Sequence, residues 1–145
     1  MSKTNTWETG LLELLFTNTT FAGVGDATGL PGAATAGSLY FSLHTSDPGE
    51  AGDQTTNECT YTSYARVAVA RSGSGWTVTG NAVAVDANVT FPGGTGGSGT
   101  ATHSGLGTAS SGAGKLLYKG AISPSIVTGS GVTPQLTAGT VVTED

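Results

Sequence analysis

The chain has 145 residues, a net charge of −5 and only 10% charged residues, against roughly 25% in an ordinary globular domain. With 37% hydrophobic residues it can bury a core as one domain without disulfides or metal. Its five lysines and arginines are scattered, which excludes a phosphate-binding stripe and so argues against a nucleic-acid partner. The single cysteine, Cys59, excludes an internal disulfide. Glycine, at 24 residues, combines with threonine, serine and alanine in a pattern that reads as β-sheet with many turns. Such a surface points to a structural or binding role ahead of acid–base or phosphate chemistry.

Residues 6–16 read as the one helix. Thr6 is a candidate N-cap and Glu8 sits in the first turn, where the helix dipole favours an acid. Leu11, Leu14 and Leu15 share a face, joined by Trp7. So short a helix is marginal alone, so it must dock on the sheet or on a neighbouring subunit. The run Leu11–Phe16 is too short for a membrane span and carries Glu13, and no secretion signal is visible. The expectations are no membrane partner and cytosolic synthesis.

Residues 17–36 lose periodicity. Gly23, Gly25, Gly29, Pro31 and Gly32 mark a long arm expected to drape over the domain or to reach a partner. From Ser38 the pattern becomes short strands between turns. Ser38–Thr45 alternates Leu39, Phe41 and Leu43 with Tyr40, Ser42 and His44, the period of a half-buried strand. Asp47-Pro48-Gly49 makes a turn, and residues 50–58 read as a solvated acidic loop. Tyr61 and Tyr64–Ala70 form the next strand, with Val67 and Val69 inward and Arg66 outward. Trp76–Thr79 and Ala82–Val89 follow, with Val83, Val85 and Val89 inward.

Pro92–Gly97 reads as the most flexible stretch. Thr100–Thr108 and Lys115–Ile122 flank an Ala109–Gly114 turn, and Ile126–Val127, Val132–Leu136 and Thr140–Val142 complete the series. Regularly spaced short strands give the fold expectation: mainly β, an antiparallel β-sandwich resembling a jelly roll, with one short N-terminal helix and a long N-terminal arm. The division expected is 1–36 as helix and arm and 37–145 as the sandwich.

No residue set reads as catalytic. His44 and His103 are the only imidazoles, and no serine or cysteine stands in a nucleophile-elbow context. They read as polar strand residues. Asp47, Glu50, Asp53 and Glu58 could offer oxygen ligands to a cation, but their spacing does not match a calcium loop. The glycine run at 93–97 lacks the lysine-hydroxyl ending of a phosphate loop. Carboxylates beside Cys59 would raise its thiol pKa and oppose reactivity. No catalytic residue, metal ligand or cofactor is assigned. Trp7, Phe16 and Phe21, in or beside the helix, are the better candidates for a contact.

From Leu43 onward the residues resemble a known family. His44-Thr45-Ser46-Asp47-Pro48-Gly49-Glu50-Ala51-Gly52, Ser63–Val69, Val89-Thr90-Phe91-Pro92, Gly97–His103 and Gly112–Ala121 are similar to small virion proteins of tailed bacteriophages. Members are labelled tail-fibre or minor tail proteins, and some are capsid decoration (cement) proteins. The resemblance implies a non-enzymatic virion structural protein, made in the host cytoplasm, whose partners are capsid or tail proteins and further copies of itself. Low charge density suits this, because surfaces can meet without desolvating many ions. Capsid decoration is the first expectation and a tail-tip or tail-fibre adaptor the alternative. A carbohydrate-binding module, with Trp76 and Tyr118 exposed on one face, is the alternative of another class. The expected contact residues are Trp7, Leu11, Leu14, Leu15, Phe16 and Phe21 at the N-terminus, with Pro92, Gly93 and Gly94 in the glycine loop.

Overall fold

A computed structural model describes residues 1–144. The fold is mainly β with antiparallel sheets and one short N-terminal helix, as the strand pattern implies. Helix α1 (Asn5–Leu12) runs into a π-helical turn at Glu13–Thr17. The strands are β1 (Ser38–His44), β2 (Val67–Ala70), β3 (Trp76–Thr79), β4 (Ala82–Val85), β5 (Val89–Thr90), β6 (Ser98–Gly107), β7 (Leu116–Gly129), β8 (Gln135–Leu136) and β9 (Val141–Thr143). They pair as a four-stranded sheet in the order β2-β1-β6-β7, a three-stranded sheet β3-β4-β9 and the pair β5-β8.

The described residues group into two compact units, one formed by 1–38, 70–88 and 137–144, the other by 39–69 and 89–136. In the first unit the helix packs by Leu12 and Phe16, both wholly buried. Phe16 meets the Trp76 ring edge-on at 4.7 Å between centroids. Val83 and Val85 complete this core from β4. The buried stripe is thus Glu8, Leu12 and Phe16 at i, i+4, i+8. Leu11, Leu14 and Leu15, expected to define the helix face, are only half-buried.

The turn ends at Asn18, whose φ of 58° is the left-handed cap of a helix end. Its side chain grips the arm, accepting from Ala33 N–H at 2.7 Å and donating to the Ala33 carbonyl at 2.8 Å. Phe21 and Leu30 exchange backbone bonds of 2.9 Å, so the arm folds back as a hairpin. Arg71 binds the other end, donating to the carbonyls of Leu14 (2.7 Å), Leu15 (2.5 Å) and Ala36 (3.0 Å). A guanidinium on terminal carbonyls satisfies acceptors the helix leaves open and complements its dipole.

In the second unit the core is Leu39, Phe41, Leu43, Cys59, Tyr61, Val89, Phe91, Ala101, Leu106 and Leu136. Strand β1 has β2 and β6 on its two edges, and the segment 54–56 folds over its polar face, the Thr56 carbonyl lying 2.8 Å from His44 Nδ1, so Ser42 and His44 are as buried as Phe41 and Leu43. Strands β6 and β7 run antiparallel from Ser98↔Gly129 to Gly107↔Leu116. Opposite Thr102 the register slips, because Ala101 faces Ile126 and His103 faces Ala121. Residues 122–125 form that bulge and include Pro124, which has no N–H to give the ladder. The two strands expected at 115–122 and 126–127 are therefore one interrupted strand. Conversely, the strand expected over 82–89 divides at Asp86–Asn88 into β4 and β5.

The glycine stretch 92–97 is tied into the fold. Gly94 N–H donates to the Val132 carbonyl at 2.8 Å and Thr95 N–H to the Thr62 carbonyl at 3.1 Å. A Cβ on Gly94 would stand 2.1 Å from the Gly129 carbonyl oxygen, so the glycine is there for close backbone approach rather than flexibility.

Candidate functional site

The second unit holds a buried polar centre. His44 Nδ1 stands 2.8 Å from the Thr56 carbonyl, which can only accept, so Nδ1 carries the proton of the neutral ring. Nε2 then accepts from the Ser42 hydroxyl at 2.8 Å. Gly105, paired across from Ser42 on β6, makes the space: its Cβ would fall 2.6 Å from Nε2 and 2.7 Å from the Ser42 oxygen. Burial, the largest influence, lowers the imidazole's affinity for a second proton; the Thr56 carbonyl and Glu58 oppose it. A serine, a histidine base and an orienting carbonyl in line are the parts of an activated nucleophile. Here both side chains are 0% exposed, so no substrate reaches them. The i, i+2 spacing of Ser42 and His44 was the only sequence signal for this pair. His103 is the cross-strand partner of His44 but bonds separately, its Nδ1 lying 3.0 Å from Thr102 Oγ1. The two imidazoles therefore do not share one set of partners.

Next to this centre, Arg66 turns inward, contrary to the outward expectation, because the strand starts only at Val67. Its Nε donates to Glu58 Oε1 at 2.6 Å and its Nη2 to Oε2 at 2.8 Å. The remaining donors reach the carbonyls of Ala109 (2.9 Å) and Gly112 (2.8 Å). Tyr64 donates to Glu58 at 2.9 Å and accepts the Leu43 N–H at 3.0 Å. Burial pushes the Tyr64 phenol well above its ordinary range. The same burial, with Glu58 adding to it, pushes the Cys59 thiol up to about 11.

The acidic loop is more structured than a solvated loop. Gln54 is wholly buried, its Oε1 accepting from Ala109 N–H at 2.9 Å. Asp53 accepts from the N–H and hydroxyl of Thr55 at 2.8 and 2.6 Å, which lowers its pKa. Asp47 is lowered first by the Gly49 N–H and then by Lys119. Lys119 lies 3.1 Å from Asp47 and 3.0 Å from Glu50. It borders a cleft of 330 Å³ shared with Gly49, Gly52 and Tyr118. Among the described residues, no group of three or more His, Cys, Asp or Glu side chains could hold a metal ion.

The first unit carries the exposed aromatic surface. Trp7 is 37% exposed and its ring tilts at 50° against Phe21, 5.4 Å away. Leu11, Leu14 and Leu15 are half-buried, whereas Phe16 is turned wholly into its own core against Trp76. In the second unit Pro92 and Gly93 are exposed and Gly94 is buried. Trp76, 1% exposed, is no platform for a sugar, so that part of the carbohydrate alternative is corrected. Its burial follows from serving as the floor under Phe16. Among the described residues, no helix is long and apolar enough to cross a membrane.

A search of the curated proteins finds no match. A scan of protein families does find one, over residues 2–144, to Gp80, described as podophage GP4 fiber I protein gp80. A match of that extent covers the helix, the arm and every strand described above, and with it the virion resemblance becomes membership: the chain belongs to the Gp80 family of phage fibre structural proteins.

Proposed function

We propose that the chain is a non-enzymatic fibre component that acts by contact between folded surfaces, and that its N-terminal aromatic surface is one such contact. The observation that carries this reading is Trp7, a large aromatic ring left 37% exposed beside Phe21 in a chain so poor in charge. Aromatic residues of this kind dominate binding energy at protein interfaces. Leu11, Leu14, Leu15 and Phe21 extend the surface, and Pro92 and Gly93 offer an exposed loop in the other unit. Phe16 and Gly94 act from beneath, as supports. A non-catalytic role is supported by the polar centre, where both nitrogens of His44 are bound into the fold.

The family match favours a place in the tail fibre over capsid decoration. The expected partners are other virion proteins and further copies of the chain. Gold-labelled antibody against the chain tests the location on intact particles. Label at the tail and its fibres is the expected result. Label spread over the capsid shell would return the decoration reading.

A further inference from the structure

We infer that the groove between α1 and Phe21 is a socket for a lysine or arginine side chain presented by a basic protein partner. The inference rests on the N-terminal surface being a contact, as proposed above, and names the chemistry of what it contacts. The groove has a volume of 390 Å³, and its lining includes Asn5, Thr9, Gly10, Glu13, Thr20 and Phe21. Its shape depends on Gly10. A Cβ there would lie 2.5 Å from Phe21 Cε1, so the ring lies directly against the helix at the one position that has no side chain. Trp7 braces the same ring at 5.4 Å.

The Phe21 ring and a carboxylate thus border one groove, and among the described residues the basic side chains of this unit are all engaged elsewhere. Its basic residues are Lys3 and Arg71. Lys3 pairs with Glu144 at 2.5 Å, and Arg71 is committed to three carbonyls. Among the described residues, no ion pair engages Glu13. A long cationic side chain fits this arrangement: its methylene stem covers the Phe21 ring while its head meets the Glu13 carboxylate. A neutral apolar side chain would desolvate Glu13 without compensation. A second copy is disfavoured by charge, since the chain carries −5 overall and this unit adds Glu8, Asp26 and Asp86 to Glu13.

The test is a titration of the ¹⁵N-labelled full chain with acetyl-Gly-Arg-Gly-amide, its lysine analogue and its glutamate analogue. Saturable shifts are expected at the amides of Gly10, Glu13 and Phe21 with the two basic peptides and none with the acidic one. Glu13→Gln, isosteric and half-exposed, should keep the fold and weaken the response at least about fivefold, the scale of one charge-assisted contact. Phe21→Leu, which keeps an apolar side chain without the ring, should also weaken it. Absent shifts, an equal response to the glutamate peptide, or full affinity in either variant would overturn the socket. If particles still require Trp7 while the basic peptides fail to bind, the contact surface stands and the socket alone falls.

Discussion

Arg66 and Glu58 meet fork to fork, at 2.6 and 2.8 Å, with the arginine side chain 2% exposed and the glutamate 15%. Glu58 holds the guanidinium pKa up, and Tyr64 and two loop carbonyls complete its shell. One ion pair thus joins the acidic loop, the Tyr64 turn and the Ala109–Gly114 turn. Removing one partner leaves the other charge buried alone, which costs about 3–5 kcal/mol. Arg66→Ala should lose that much in urea denaturation at neutral pH. A loss below about 1 kcal/mol, the scale of an exposed pair, would show that the network is solvated.

Phe16→Ala tests the claim that the N-terminal helix belongs to the core of its unit. Deleting a buried aromatic ring costs about 3–5 kcal/mol. Here it would also uncover Trp76, so emission from that indole should shift to the red. Loss of stability without a fluorescence change would contradict the 4.7 Å edge-on contact.

His44 sets a pH dependence. Burial holds its folded pKa below the ordinary 6.5. As pH falls, the unfolded chain therefore takes up the proton first. The stabilisation is fully present above 6.5 and declines below it until the folded ring also protonates. Asp47 and Asp53, whose folded pKa values lie below 3.8, lose their contributions only as pH falls below 3.8. Denaturation midpoints followed from about pH 7.5 to about pH 5 should fall in the wild type and stay flatter in His44→Gln.

Two reagents test whether the buried nucleophile candidates are as inert as their burial implies. Cys59, with its pKa near 11 and 3% exposed, should resist a thiol-specific disulfide reagent in the folded protein and react at once in denaturant. Ser42 should take no label from a fluorophosphonate probe. Labelling of Ser42 in folded protein would show that the Ser42–His44 pair is an accessible, activated nucleophile.

The elements were largely legible because local chemistry decides them. Asp47-Pro48-Gly49 turns as written, Asp47 capping the Gly49 N–H at 2.8 Å. Strand β1 could be read from its alternation, but not the burial of its polar face, since that depends on the segment 54–56 folding back over it. The helix could be read from its leucines, but a run with leucine at 11, 12, 14 and 15 offers two apolar stripes. Only tertiary packing selects the Leu12–Phe16 stripe and leaves Trp7 partly outside. The alternation stops at Ile122 and resumes at Ile126, but a bulge at 122–125, which includes Pro124, carries the strand through. The groove beside Phe21 had no linear signal, since Gly10 and Phe21 meet only because the arm turns back.

Incorporation of the Trp7→Asp chain into particles tests the central claim most directly. Position 7 is exposed and outside the buried stripe, so the variant should fold with a wild-type circular dichroism spectrum. Its copy number per purified particle, counted by quantitative mass spectrometry, should drop at least about tenfold, as loss of an interface aromatic worth about 2 kcal/mol implies. Wild-type copy number in particles carrying the folded variant would contradict the account.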